Sequence, residues 1–197
     1  MADTFLSLSD LNSLFFKVTC AIYGLDASAP ANQSKIRESW PTDGQPAWKI
    51  HDDVTFLRIG WIDDPYNRQR EVRYEPIFTG DPSAEDPNNL IQQMQMTNVN
   101  QIYWTIYGPN SYVNAWKIWN QLYYQSIKEM LRLKNVFLIP DIPAPQRVPE
   151  SFQGQWWERC DLSARFNALT VFESIMPTIR TVAVQTTDSQ KTISQEV

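Results

Sequence analysis

The chain is expected to fold as an α+β protein, an antiparallel-rich mixed sheet with two main helices packed on it. Three observations carry this. Strand-type alternation of apolar and polar residues recurs near residues 54–62, 99–107 and 156–168. Helical spacing of apolar residues is sustained in two long stretches, 7–24 and 111–133. Short turns rich in Asp, Asn, Pro and Gly separate successive strands, and short turns favour antiparallel neighbours.

At 197 residues the chain suits one domain, read as residues 1–186 with a polar C-terminal tail at 187–197. It is 43% hydrophobic and 20% charged, as a soluble protein with one good core should be. Aromatic residues are abundant: 8 Trp, 8 Tyr and 9 Phe, residues that fill cores or line protein contacts. A net charge of −5 argues against broad binding to nucleic-acid phosphates. The opening MADTFLSLSD has no basic start and no long apolar run, so no signal peptide is expected, and no segment approaches a membrane span.

The first helix carries Leu8, Leu11, Leu14, Phe15, Val18 and Ile22 at steps of three and four. Ser7 or Ser9 caps its start and Gly24 stops it. A polar loop follows, then a short strand at Ile36–Trp40 and a loop punctuated by Pro41, Gly44 and Pro46. In the strand Val54–Ile62, Leu57, Ile59 and Trp61 share one face and Val54, Phe56 and Arg58 the other. Asp63 to Asn67 make a turn, and a strand near Arg68–Ile77 is expected to return antiparallel. Residues 79–89 read as a projecting acidic loop, and residues 90–96 fit helix or strand equally.

The stretch Gln101–Leu131 holds three of the tryptophans and five tyrosines. Ile102, Trp104 and Ile106 alternate with Tyr103, Thr105 and Tyr107, so both faces of this strand are expected to be covered. Gly108-Pro109-Asn110 turns the chain into a helix capped by Asn110 or Ser111 and running to about Leu133. On one continuous wheel, Tyr112, Trp116, Trp119, Tyr123, Ile127 and Met130 centre an apolar arc. Ala115, Ile118 and Leu122 widen it on one side, Tyr124 and Leu131 on the other. The arc spans roughly 240°, against the ~100° that packing on one sheet requires. Ile118, Leu122, Tyr124 and Leu131 therefore become candidates for a subunit contact. So do Pro143 and Pro145 of the extended connector 140–149, and Arg68 and Arg70 of the basic strip.

The short strand Asn135–Pro140 precedes that connector. After it, Cys160, Leu162, Ala164, Phe166 and Ala168 alternate inward, with Arg159, Asp161, Ser163 and Arg165 outward. Residues 178–185 form the last expected strand.

No catalytic or metal-ligating constellation stands out, so no catalytic residue, cofactor or metal is assigned. The single histidine, His51, lies beside a turn. Cys20 and Cys160 fall on inward positions, as small buried hydrophobes do. Asp52–Asp53 and Asp63–Asp64 are adjacent pairs, better suited to turns than to a shared acid–base site. No phosphate-cradling or zinc motif occurs. Arg68, Arg70 and Arg73 with Tyr66 and Tyr74 form an aromatic–basic strip, diluted by Glu71 and Glu75.

Four segments, SWPTDGQPAWKIHDDVTFLRI, DDPYNRQREVRY, IYWTIYGPNSYVNA and WWERCDLSARFNAL, resemble in content and order the neck, or tail-terminator, proteins of tailed bacteriophages. Together they cover roughly residues 34–168. The resemblance implies a tail-terminator-like mixed sheet flanked by helices. It also implies a virion protein assembled in the host cytoplasm, forming a ring, commonly a hexamer, at the top of the tail. Such a ring ends tail-tube growth and joins the tail to head-completion proteins. DNA passes through its lumen without sequence-specific binding, and no membrane is involved. No catalytic residue or cofactor comes with the family. Two other readings compete: an aromatic-rich ligand- or carbohydrate-binding module, and a hydrolase built on His51 and its neighbouring aspartates.

Overall fold

The computed structural model describes residues 4–40, 47–65, 69–77, 89–177, 183–188 and 191–196. The chain divides into two compact units. The larger is built from Thr4–Gln69 and Met96–Thr170, the smaller from Arg70–Gln95 and the chain after Thr170.

In the larger unit, α1 (Leu8–Tyr23) begins in a capping box. The Ser7 hydroxyl accepts from the Asp10 amide at 3.1 Å while the Ser7 amide donates to Asp10 at 3.0 Å. Gly24 ends the helix in a left-handed conformation, φ 69°. A short α2 (Pro30–Gln33) leads to β1 (Ile36–Glu38), which lies parallel to β2 (Val54–Ile62). β2 is antiparallel to the upper half of β4 (Asn89–Tyr107), with Leu57 opposite Trp104 and Arg58 opposite Tyr103. β4 neighbours β9 (Arg159–Pro177), whose outer edge carries β5 (Val136–Leu138) and β6 (Gln146–Arg147), both antiparallel to it. Side-chain bonds from Asn98 to Thr170 and from Gln101 to Ser163 show β4 and β9 running in opposite directions.

The inward alternation of β9 is as the sequence predicts. Ile102, Trp104 and Ile106 meet Cys160, Leu162, Ala164, Phe166 and Ala168 in one core under α1. Phe15 sits at its centre, edge-on to Phe166 at 4.8 Å and to Trp104 at 6.4 Å. Each fully buried Leu, Ile or Phe side chain among them contributes about 1.5–3 kcal/mol.

The second predicted helix is two: α3 (Ser111–Gln121) and α4 (Gln125–Arg132), broken where Tyr124 turns extended at ψ 142°. The break has a phase reason. Ser111, Ala115, Ile118 and Leu122 face the core at helical spacing, and continuing the helix would bring polar Gln125 or Ser126 to that face next. Slipping one residue brings Ile127 and Leu131 there instead. Asn110 occupies the N-cap position but makes no capping bond. Its amide and side chain both bond Asp53, at 3.0 and 2.8 Å. Gly108 lies so close to this contact that a β-carbon on it would stand 2.5 Å from Asp53 Oδ1.

The predicted long strand from Trp156 is also divided. β7 (Glu150–Phe152) and β8 (Gln155–Trp157) form a hairpin, and β9 starts after Glu158, whose carbonyl accepts from the Gly108 amide at 3.1 Å.

In the smaller unit, β3 (Glu71–Pro76) pairs antiparallel with Leu90–Gln95 of β4. The sequence points to a return against β2; the pairing goes to β4 instead. Residues 90–96 are strand, continuous with the central strand, because Gln92 and Gln93 are held by Tyr74, Ser174 and Glu173 rather than by an apolar face. β10 (Ala183–Asp188) and β11 (Lys191–Glu196) form a hairpin of their own. Much of the expected polar tail is thus a strand: pairing satisfies its backbone without any apolar pattern. The expected loop at 79–89 and the expected strand start at 178–182 lie outside the described residues, except for Asn89.

Candidate functional site

Two candidate contact surfaces stand out on the larger unit. The first is an aromatic ladder along α3. Residues 112, 116, 119 and 123 lie one position, about 100°, round the helix from the buried row 111, 115, 118 and 122. Their rings stack edge to face: Tyr112–Trp116 at 6.2 Å, Trp116–Trp119 at 5.0 Å and Trp119–Tyr123 at 6.4 Å. Tyr112, Trp116 and Tyr123 are exposed. The Trp119 indole N–H donates to the Ile142 carbonyl and the Tyr123 hydroxyl to the Pro140 carbonyl, both at 3.2 Å. These bonds strap the proline connector to the helix flank, and Ile142 anchors it in the core.

The second surface is on the sheet face turned away from the core. Phe56 and Arg58 of β2, Tyr103, Thr105 and Tyr107 of β4, and Arg159, Asp161 and Ser163 of β9 open onto a concave pocket of about 660 Å³. Trp40, Trp48, Pro143 and Ala144 complete its rim. This face of the central strand is therefore only partly covered, by Trp48 against Phe56 and Tyr107 and by Trp157 against Trp48.

Charges in the pocket are treated differently at its two ends. Arg159 binds Asp161 through two nitrogens, at 2.8 and 2.7 Å, and reaches Glu150 at 2.9 Å. These partners raise the pKa of its guanidinium further. The Tyr107 hydroxyl donates to Glu150 at 2.9 Å, and burial first, then this bond, pushes its pKa up to about 12. Arg58 has no such partners among the described residues. Its guanidinium lies 3.8 Å over the Tyr103 ring and 5.6 Å from the Trp40 ring.

The candidate contact residues fall into separate places. Ile118, Leu122 and Leu131 are a correction: they are sealed in the chain's own core and offer no surface to a neighbour. The continuous wheel put the apolar centre on the ladder and these three at its margins; the core-facing row and the helix break reverse that. Tyr124 is 57% exposed at the break. Pro143 is exposed and Pro145 half-buried in the connector. Arg70 is exposed, its guanidinium 3.6 Å from Met94 Sδ. Arg68 lies outside the described residues.

His51 is exposed on a turn whose Asp52 accepts from the Lys49 amide at 2.8 Å, while Asp53 is engaged by Asn110. Both aspartates serve the turns. Cys20 and Cys160 are buried free thiols, and burial raises both pKa values, that of Cys160 to about 11. Among the described residues no group of three or more His, Cys, Asp or Glu could hold a metal ion. None of their helices is long and apolar enough to cross a membrane.

The sequence reading missed the Arg58 pocket. Its residues alternate correctly on three separate strands, but only the pairing β2–β4–β9 brings them together.

Fold and surfaces define an α+β protein with an exposed aromatic ladder and a charged, aromatic-walled pocket. The chain belongs to the phage neck terminator protein family, whose model matches residues 36–193. No curated relative matches it. It is a structural protein of the phage neck, located in the virion and in contact with other virion proteins.

Proposed function

We propose that copies of this chain close into a ring at the top of the tail, ending tail-tube growth and joining the tail to head-completion proteins. Six copies form the ring, assembled in the host cytoplasm, and DNA passes through the lumen without sequence-specific binding. The observation that carries this reading is membership of the neck terminator family over most of the chain. A ring of identical subunits needs two different patches that fit one another. The exposed ladder with its strapped connector supplies one, including Tyr124, Pro143 and Pro145, and Arg68 and Arg70 belong to another.

Against a carbohydrate-binding module, successive ladder rings stand at 72–76° to each other, so they share no flat platform for a sugar face. Light scattering and electron-microscope images of the purified protein, alone and with tail tubes, test the ring. Closed rings of one size are expected. A strict monomer at high concentration and in the presence of tubes overturns it.

A further inference from the structure

Every arginine of the described residues but one donates to an atom of its own chain. Arg73, Arg132, Arg147, Arg159 and Arg165 each hold a carboxylate of their own chain. Arg37 donates to the Ser34 carbonyl and Arg70 contacts Met94 Sδ. Among the described residues Arg58 finds neither a hydrogen-bond nor an ion-pair partner, though it is half-buried at the pocket wall. Rings on either side hold its plane, and a guanidinium held by its faces keeps its N–H edge for an acceptor.

Two further observations point to a missing acceptor. Trp40, which shares in holding Arg58, keeps a left-handed backbone, φ 58°, while 80% exposed. A non-glycine residue there stores strain, and such strain gathers at binding sites. Trp48, in the same pocket, has a buried indole N–H with no acceptor among the described residues. A guanidinium whose N–H edge has no acceptor among the described residues, set in an aromatic pocket, suits one compact anion. A run of phosphates fits less well, because Asp161 shares the pocket and the chain carries −5 overall.

We propose that this pocket is a socket for one Asp or Glu side chain supplied by an adjacent copy of the chain. This rests on the ring reading. The chain has 22 acidic against 17 basic residues, so every copy brings surplus carboxylates to its neighbour. Pro143, a proposed contact residue, lies on the pocket rim, so the socket is continuous with that contact surface. Stacked arginine and a carboxylate, shielded by aromatic walls, form the kind of desolvated pair that fixes register between subunits.

The test uses the full chain. Arg58→Lys places an amine in the pocket, and a zero-length carbodiimide joins an amine only to a carboxylate in contact with it. In a mixture of isotope-labelled and unlabelled copies, mass spectrometry should find position 58 coupled to an Asp or Glu of the other copy. Arg58→Gln and Arg58→Glu should weaken self-association at least tenfold, with the monomer still folded by circular dichroism. Rings formed by Arg58→Glu as readily as by the wild type overturn the socket and leave the ring standing. Coupling only to another virion protein, in reconstituted necks, overturns the second copy as occupant. A wild-type chain that never self-associates overturns the ring, and the socket with it.

Discussion

The indole N–H of Trp104 donates to the hydroxyl of Thr19 at 3.0 Å, and that hydroxyl donates to the Phe15 carbonyl at 2.7 Å. Both side chains are fully buried, so a polar bond inside the core fastens α1 to the middle of the sheet. Thr19→Val keeps the shape and removes the acceptor, leaving the indole N–H unpaired in the core. The expected loss is about 1–3 kcal/mol, read from the urea midpoint. Thr19→Ser should recover most of it. Equal stability of the valine variant and the wild type would refute the account.

Gly108 is fixed by its surroundings as much as by its φ of 107°. A β-carbon there meets Asp53 Oδ1 and the Asp52 carbonyl below 3 Å, and both belong to the turn that holds Asn110. Gly108→Ala should therefore cost more than the ~1 kcal/mol of an ordinary strained glycine position, about 2–4 kcal/mol. Asp53→Ala should lower stability by less and reduce much of the added cost in the double variant. Additive effects of the two would show that the turn and the glycine are independent.

Charge placed on α3 separates core from contact surface. Ile118→Asp buries an unpaired carboxylate and should prevent folding, a loss above about 4 kcal/mol. Tyr124→Glu, at an exposed position, should change stability by about 0.5 kcal/mol or less while weakening self-association. Trp116→Glu lies between: it loses two edge-to-face contacts, about 1–2 kcal/mol, and should also weaken assembly. Circular dichroism and light scattering on the same samples distinguish these outcomes. Folded Ile118→Asp with impaired assembly would place Ile118 at the interface after all.

The contrast between Ile118 and Trp116 shows what the sequence could reveal. Periodicity marked both as apolar, and the alternation of β2, β4 and β9 sorted their residues into two faces and named the inward one of β9 correctly, because apolar pattern reports burial. In β2 it set exposed Trp61 on the face of buried Leu57. It did not reveal the break at Tyr124, since the slip trades a helical turn for a better apolar phase that only the packed core rewards. Nor did it reveal that residues 90–96 are strand: Gln92 and Gln93 are held by side-chain hydrogen bonds, which leave no period. The Arg58 pocket is a product of long-range pairing, and its residues look like ordinary outward positions until three strands lie side by side.

Tyr107 should make stability fall at high pH. Its pKa rises from the ordinary 10.0 to about 12, chiefly through burial and then through the bond it donates to Glu150. The neutral form is thus favoured in the folded chain. Below pH 10 both states hold the proton and its contribution is complete. Between about pH 10 and 12 the unfolded chain has released the proton and the folded chain retains it, so stability is lost as pH rises. Two pKa units correspond to about 2.7 kcal/mol, and exposure of roughly half the group to solvent reduces the expected loss to about 1 kcal/mol. Urea midpoints of the wild type and Tyr107→Phe, measured from about pH 9 to 12, should converge as pH rises, because phenylalanine has no proton to lose. Glu150→Gln should narrow the window from its upper end while leaving the residue above 10, since burial is the larger cause. Parallel midpoint curves for Tyr107→Phe and the wild type would show that Tyr107 does not control the alkaline limit.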